Sequence, residues 1–173
     1  MVDLARRNFF RGKKASTPAA IRLPWVINEQ LFIDNCTQCG DCITHCAENI
    51  IVKGDGGFPK IDFSKGECSF CQQCLEVCQQ PLFVNETAEI QAAWQLDIKI
   101  KSNCLAMNQI VCQSCQDCCE PEAISFKYLT SKTPQPQIEL DKCNGCGACV
   151  SVCPQSAIEL TPKLAPELIT KFS

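Results

Sequence analysis

Short stretches of alternating apolar and polar residues punctuate this chain, and each predicts a strand. Ile50-Ile51-Val52-Lys53 predicts one, and Pro59-Lys60-Ile61-Asp62-Phe63 predicts its return. Between them Gly54-Asp55-Gly56-Gly57 supplies residues that tolerate positive φ, so the pair reads as a hairpin. Trp94, Leu96, Ile98 and Ile100 alternate with polar residues and predict a further strand, preceded by good helix formers over residues 86–93. Ile124-Ser125-Phe126-Lys127-Tyr128 and Gln137-Ile138-Glu139-Leu140 predict a second hairpin, turned at Pro134 and Pro136. A short tail, helical through Leu168, follows Pro162. No apolar stretch is long enough to span a membrane.

Cysteine fills the space between these elements. Seventeen of 173 residues are Cys, about a tenth of the chain and far above ordinary usage. Cys143, Cys146, Cys149 and Cys153-Pro154 follow the spacing C-x2-C-x2-C-x3-C-P. Cys36, Cys39, Cys42 and Cys46 repeat that spacing, as do Cys68, Cys71, Cys74 and Cys78. Cysteines two residues apart would be strained as disulfide partners, and structural zinc usually presents two separated C-x2-C knuckles. The pattern is the ligand run of ferredoxins with two [4Fe–4S] clusters, in which the fourth Cys of one run serves the cluster of the other. Runs therefore work in pairs.

A fourth run is irregular. Aligned by its tail, Cys119-Glu120-Pro121-Glu122-Ala123-Ile124 matches Cys153-Pro154-Gln155-Ser156-Ala157-Ile158, which sets Cys115 over Cys149 and Cys112 over Cys146. Gln109 then stands over Cys143, and Cys104 is the substitute across a longer loop. Cys118 is spare, a ligand in place of Cys119, or a reactive thiol. The crossing rule gives four ligand sets: Cys36, Cys39, Cys42 and Cys78; Cys68, Cys71, Cys74 and Cys46; Cys104, Cys112, Cys115 and Cys153; Cys143, Cys146, Cys149 and Cys119.

The predicted fold class is α+β: duplicated two-cluster, bacterial 2[4Fe–4S] ferredoxin-like modules with short helices and β-hairpins. The modules span residues 28–85 and 103–165, with a basic tail over 1–27, a linker over 86–102 and a carboxyl tail over 166–173. Each module reads run, hairpin, run, with offsets of 32 residues (Cys46 to Cys78) and 34 residues (Cys119 to Cys153), as duplication would leave. So short a segment buries too little apolar surface alone, so metal supplies the core. Ile43, Ile50, Phe70, Leu75, Val77, Leu82 and Phe83 would wrap it, and Trp25 would cap the core beside the first cluster.

The formal charge is −3, and four clusters with their thiolates would take it to about −11. An acidic body disfavours nucleic acid and suits docking to a basic protein surface. Thiolate-held clusters imply assembly in a reducing compartment, hence a cytoplasmic start. Arg6-Arg7-Asn8-Phe9-Phe10-Arg11 looks like a twin-arginine signal, but the following Gly12-Lys13-Lys14-Ala15-Ser16-Thr17-Pro18 is polar where an export signal needs an apolar region. A flexible basic tail, or a segment making weak membrane-surface contact through residues 1–14, are the other readings. His45, the only histidine, reads as a surface residue, and no catalytic arrangement or phosphate loop is present, so the chain is not read as an enzyme.

Over nearly its full length the chain resembles the ferredoxin-type accessory proteins of the periplasmic nitrate reductase system, the NapF family. The residues that carry the resemblance are Arg6-Arg7 with Arg11-Gly12, Arg22-Leu23-Pro24-Trp25, Glu67-Cys68-Ser69-Phe70-Cys71, and Cys115-Gln116-Asp117-Cys118-Cys119-Glu120-Pro121 ahead of Cys143-Asn144-Gly145-Cys146-Gly147-Ala148-Cys149. Cys118 departs from the small polar residue usual in that family, which favours Cys119 as the ligand. The resemblance implies a cytoplasmic protein that contacts the nitrate reductase catalytic subunit in its precursor form, before twin-arginine export, and supplies electrons or iron–sulfur cluster to it. The twin-arginine lookalike then faces that partner. The alternative is a polyferredoxin electron carrier in a nitrate-respiration chain.

Overall fold

In the computed structural model, residues 20–84, 93–129 and 132–163 are described. The expectations placed on residues 1–19, on the helix-forming stretch before Ala93 and on the carboxyl tail lie outside them.

The elements are short. Helix α1 (Glu29–Asn35) starts at Asn28, whose side chain accepts from the Leu31 N–H, and seats Phe32 in the core at 1% exposure. Helices α2 (Asp41–Thr44), α3 (Gln73–Glu76), α4 (Ser114–Asp117) and α5 (Ala148–Ser151) are single turns, each carrying the third Cys of its run. Strands β1 (Ile51–Lys53) and β2 (Pro59–Ile61) form the first hairpin, with Ile51 opposite Ile61. The turn between them is a short 3-10 segment, Asp55–Gly57.

Strand β3 (Leu96–Ile100) takes up the predicted alternation and pairs antiparallel with β6 (Ile158–Pro162), Ile98 opposite Leu160. The stretch read from sequence as linker thus shares a ribbon with the residues after the last Cys. Strands β4 (Ile124–Lys127) and β5 (Gln135–Ile138) form the second hairpin. Pro136 lies opposite Phe126 inside β5, not in the turn as the sequence suggested. The ribbon has only two strands, so a proline lacking its N–H can face the unpaired side without losing a ladder bond.

Three two-stranded ribbons are marginal by themselves, and packing decides the fold. In each half the paired turns pack together, α2 on α3 and α4 on α5. The larger core gathers Leu23, Trp25, Phe32, Ile50, Phe58, Phe63, Leu82 and Phe83; the smaller gathers Ile124, Cys149 and Ile158. Trp25 is buried as expected, but it lines the cavity of Cys46, Cys68, Cys71 and Cys74; Leu23 is the residue beside the first set. A backbone bridge from Val26 to Phe83, and the Trp25 N–H donating to the Ala93 carbonyl at 2.8 Å, hold it there. Among the described residues no helix is long and apolar enough to cross a membrane.

Candidate metal centres

Each regular run folds the same way because two residues beside its second Cys take the left-handed conformation. Gln38 and Gly40 flank Cys39, Phe70 and Gln72 flank Cys71, and Gly145 and Gly147 flank Cys146, all at φ between 55° and 90°. The reversal curls three thiols around one centre and starts the helical turn that carries the third of them. In the irregular run Gln113 sits at φ −134°, and the chain between Cys104 and Cys112 makes a 3-10 turn, Ala106–Asn108, in place of a tight curl. Asn108 ties that loop, its side-chain amide donating to the Ser102 and Cys104 carbonyls at 2.7 and 2.8 Å.

The fourth Cys of a run sits in its own recurrent turn. The N–H three residues on donates to its carbonyl at Cys46, Cys119 and Cys153, through Asn49, Glu122 and Ser156, all with positive φ. The next N–H then reaches back to the sulfur, Ala123 to Cys119 at 3.3 Å and Ala157 to Cys153 at 3.2 Å. Cys119 therefore takes the position that Cys153 takes. Cys118 points elsewhere, its Sγ 3.5 Å from the Cys115 carbonyl oxygen.

Four cavities result, and each is lined by four cysteines drawn from two runs. The first is lined by Cys36, Cys39, Cys42 and Cys78, with Leu23, Phe32, Leu82 and Phe83 as apolar wall. The second has Cys46, Cys68, Cys71 and Cys74, with Trp25 and Ile50. The third has Cys104, Cys112, Cys115 and Cys153, with Leu105, Phe126 and Pro136. The fourth has Cys119, Cys143, Cys146 and Cys149, with Ile98, Ile124 and Leu160. The second, third and fourth cavities are alike in size, and the first is larger.

Burial pushes the innermost thiols up. Cys42 and Cys74 rise to about 12, first through burial and then through neighbouring thiols: Cys36, Cys39 and Cys78 around Cys42, and Cys68 and Cys71 around Cys74. Cys115 rises to about 12 by burial and by Cys104 and Cys112, and Cys149 rises further, by burial and by Cys146 and Cys143. Thiols of this kind serve as ligands once a strong cationic centre takes their protons. Among the described residues no three His, Cys, Asp or Glu side chains converge closely enough to hold a single metal ion; the thiols ring a space instead. Zn–S bonds of about 2.3 Å would draw four sulfurs onto one point, whereas a cubane needs them spread around it. The donor set and the shape both fit [4Fe–4S].

His45 is exposed, its Nδ1 2.8 Å from the Asp41 carbonyl oxygen, a surface residue as expected. Sequence reasoning missed Arg22, whose guanidinium donates to Glu29 and to the Pro59 carbonyl at 3.0 Å while lying 5.0 Å over the Phe32 ring. It thereby ties the segment before α1 to the first hairpin. The Arg22-Leu23-Pro24-Trp25 stretch held the only hint.

The 4Fe-4S binding domain family matches residues 136–159, which contain β5's end, the last run and the turn after it. The chain is similar to the ferredoxin-type protein NapF of Escherichia coli (strain K12), 41% identical over 157 residues that cover 91% of this chain and 94% of that one. It is similar to the ferredoxin-type protein NapF of Haemophilus influenzae, 42% identical over 168 residues with the same coverage. A more distant relative is the ferredoxin-type protein NapG of Escherichia coli (strain K12), 28% identical over 82% of this chain and 70% of its own. With identity of this order over nine tenths of its length, and thiol-lined cavities where such proteins need them, the chain belongs to the NapF family of ferredoxin-type iron–sulfur proteins.

Proposed function

We propose that this chain is a four-cluster accessory protein for the periplasmic nitrate reductase system. It binds the catalytic subunit in the cytoplasm, in the precursor form that precedes twin-arginine export, and supplies it with electrons or iron–sulfur cluster. Membership of the NapF family carries this reading, and the four cavities of four thiols each support it.

In this reading the two halves are two-cluster ferredoxin-like modules, and the ligands are the four sets that line the cavities. [4Fe–4S] clusters exchange single electrons at potentials set by burial and hydrogen bonding. The chain's own residues do the rest. The apolar walls exclude water, and the N–H groups of Ala123 and Ala157 donate to ligand sulfurs and so stabilise their negative charge. Cys39 and Cys71 are exposed, which leaves the first and second sites within reach of a docked protein. No residue is assigned to substrate chemistry, and the role is that of an accessory or electron-transfer protein, not an enzyme.

Anaerobic pull-down from cytosol tests this, with wild-type protein and the Arg6→Ala/Arg7→Ala variant as baits and with the unexported catalytic subunit and its iron content as readout. Capture of an iron-poor precursor by wild type, lost in the variant, is the expected result. Capture of membrane redox subunits alone would favour the polyferredoxin carrier, and capture of neither would overturn the accessory role.

A further inference from the structure

Among the described residues, ligand runs from the two halves meet directly. The Cys68 N–H donates to the Cys146 carbonyl oxygen at 2.8 Å, a direct backbone bond between the second run and the last. On one side of that bond Gly147, at φ +86°, lies against the Phe63 ring. On the other, Trp94 and Leu96 lie against Gly145, and Trp94 stacks edge-on with Phe63 at 5.6 Å and Phe70 at 5.9 Å. Val150 touches both cores.

Among the described residues each of the four cavities is walled by one half alone, so it is the Cys68–Cys146 backbone bond, and not a shared wall, that brings the second site to the fourth. Within each half the pairing is fixed by shared runs: α2 packs on α3 between the first and second sites, and α4 on α5 between the third and fourth.

We propose that the four sites stand in one row in the order first, second, fourth, third, with Cys68 and Cys146 as the ligands that meet at the module boundary. This rests on the four-cluster reading. Chain order and spatial order differ: the last run lies in the middle, and the irregular Cys104–Cys115 run lies at an end. The first and third sites are terminal. An electron that enters at one terminal site from a docked one-electron donor reaches a one-electron acceptor docked at the other through the second and fourth; the donor is oxidised, the acceptor reduced, and the protein returns to its starting state.

Spin coupling in the loaded, full-length protein reads the order directly. Neighbouring reduced clusters broaden one another's paramagnetic resonance, and a cluster with no neighbour gives a narrow signal. Four double variants each delete one site: Cys36→Ala/Cys39→Ala the first, Cys46→Ala/Cys71→Ala the second, Cys104→Ala/Cys112→Ala the third, Cys119→Ala/Cys143→Ala the fourth. Iron content falls from about sixteen to about twelve per chain in each. After dithionite reduction, deleting the second site leaves one narrow signal, from the first, and deleting the fourth leaves one from the third. Deleting the first or third leaves none. A narrow signal after deletion of the first or third site overturns the row, as does its absence after deletion of the second or fourth. Each half is read separately, so failure of one pair to load still leaves the other able to contradict the proposal. Wild-type iron well below sixteen would instead overturn the four-cluster reading itself.

Discussion

Gly147 and Phe63, 84 residues apart, are in such close contact that a Cβ on Gly147 would fall inside the phenyl ring. The glycine also holds φ +86° between two cysteines of the last run. Gly147→Ala must therefore both strain its backbone and push Phe63 out of the interface, a combined cost of roughly 2–4 kcal/mol. Denaturant unfolding of the loaded protein measures this, and an unchanged midpoint would show that the halves do not meet through these residues.

The choice between Cys104 and Cys118 as a ligand of the third site has a clear expected outcome. Cys104 lines the cavity with Cys112, Cys115 and Cys153, whereas the Cys118 sulfur turns back to the Cys115 carbonyl. Cys104→Ala should lose about four irons per chain and Cys118→Ala none. Iron and acid-labile sulfide analysis of the two variants, loaded side by side, decides it; equal loss, or loss only in the Cys118 variant, would reassign the site.

Arg22 is 15% exposed and serves four partners at once: the Glu29 carboxylate, the Pro59 carbonyl and the faces of Phe32 and Phe58. Arg22→Ala should cost about 2–3 kcal/mol, and Arg22→Lys about half that, because lysine keeps the charge but not the fork or the stacking. Thermal melts of wild type and both variants check the order. A lysine variant as weak as the alanine one would mean that planarity, not charge, matters here.

What was legible in the sequence is what depends on local spacing. C-x2-C-x2-C implies a curl around one centre, and the alternation from Trp94 to Ile100 implied the strand observed over Leu96–Ile100. Each cavity is lined by three cysteines of one run and the fourth of the other run in its half. What was not legible depends on distant partners. The β3–β6 ribbon joins residues about sixty positions apart, and nothing in Ile158-Glu159-Leu160-Thr161-Pro162 announces its mate. Nearness in sequence places Trp25 beside the first site; the Val26–Phe83 bridge turns it to the second. Pro136 reads as a turn residue, since a two-stranded ribbon with a free edge is not visible in sequence.

The central claim is that sixteen of the seventeen cysteines hold four [4Fe–4S] clusters. The measurement that tests it most directly is the iron and acid-labile sulfide content of anaerobically prepared full-length protein, with Mössbauer spectra to give the cluster type. The account predicts about sixteen of each per chain, all in [4Fe–4S] form. About twelve of each, with the Cys104→Ala variant unchanged, or zinc in place of iron, would contradict it.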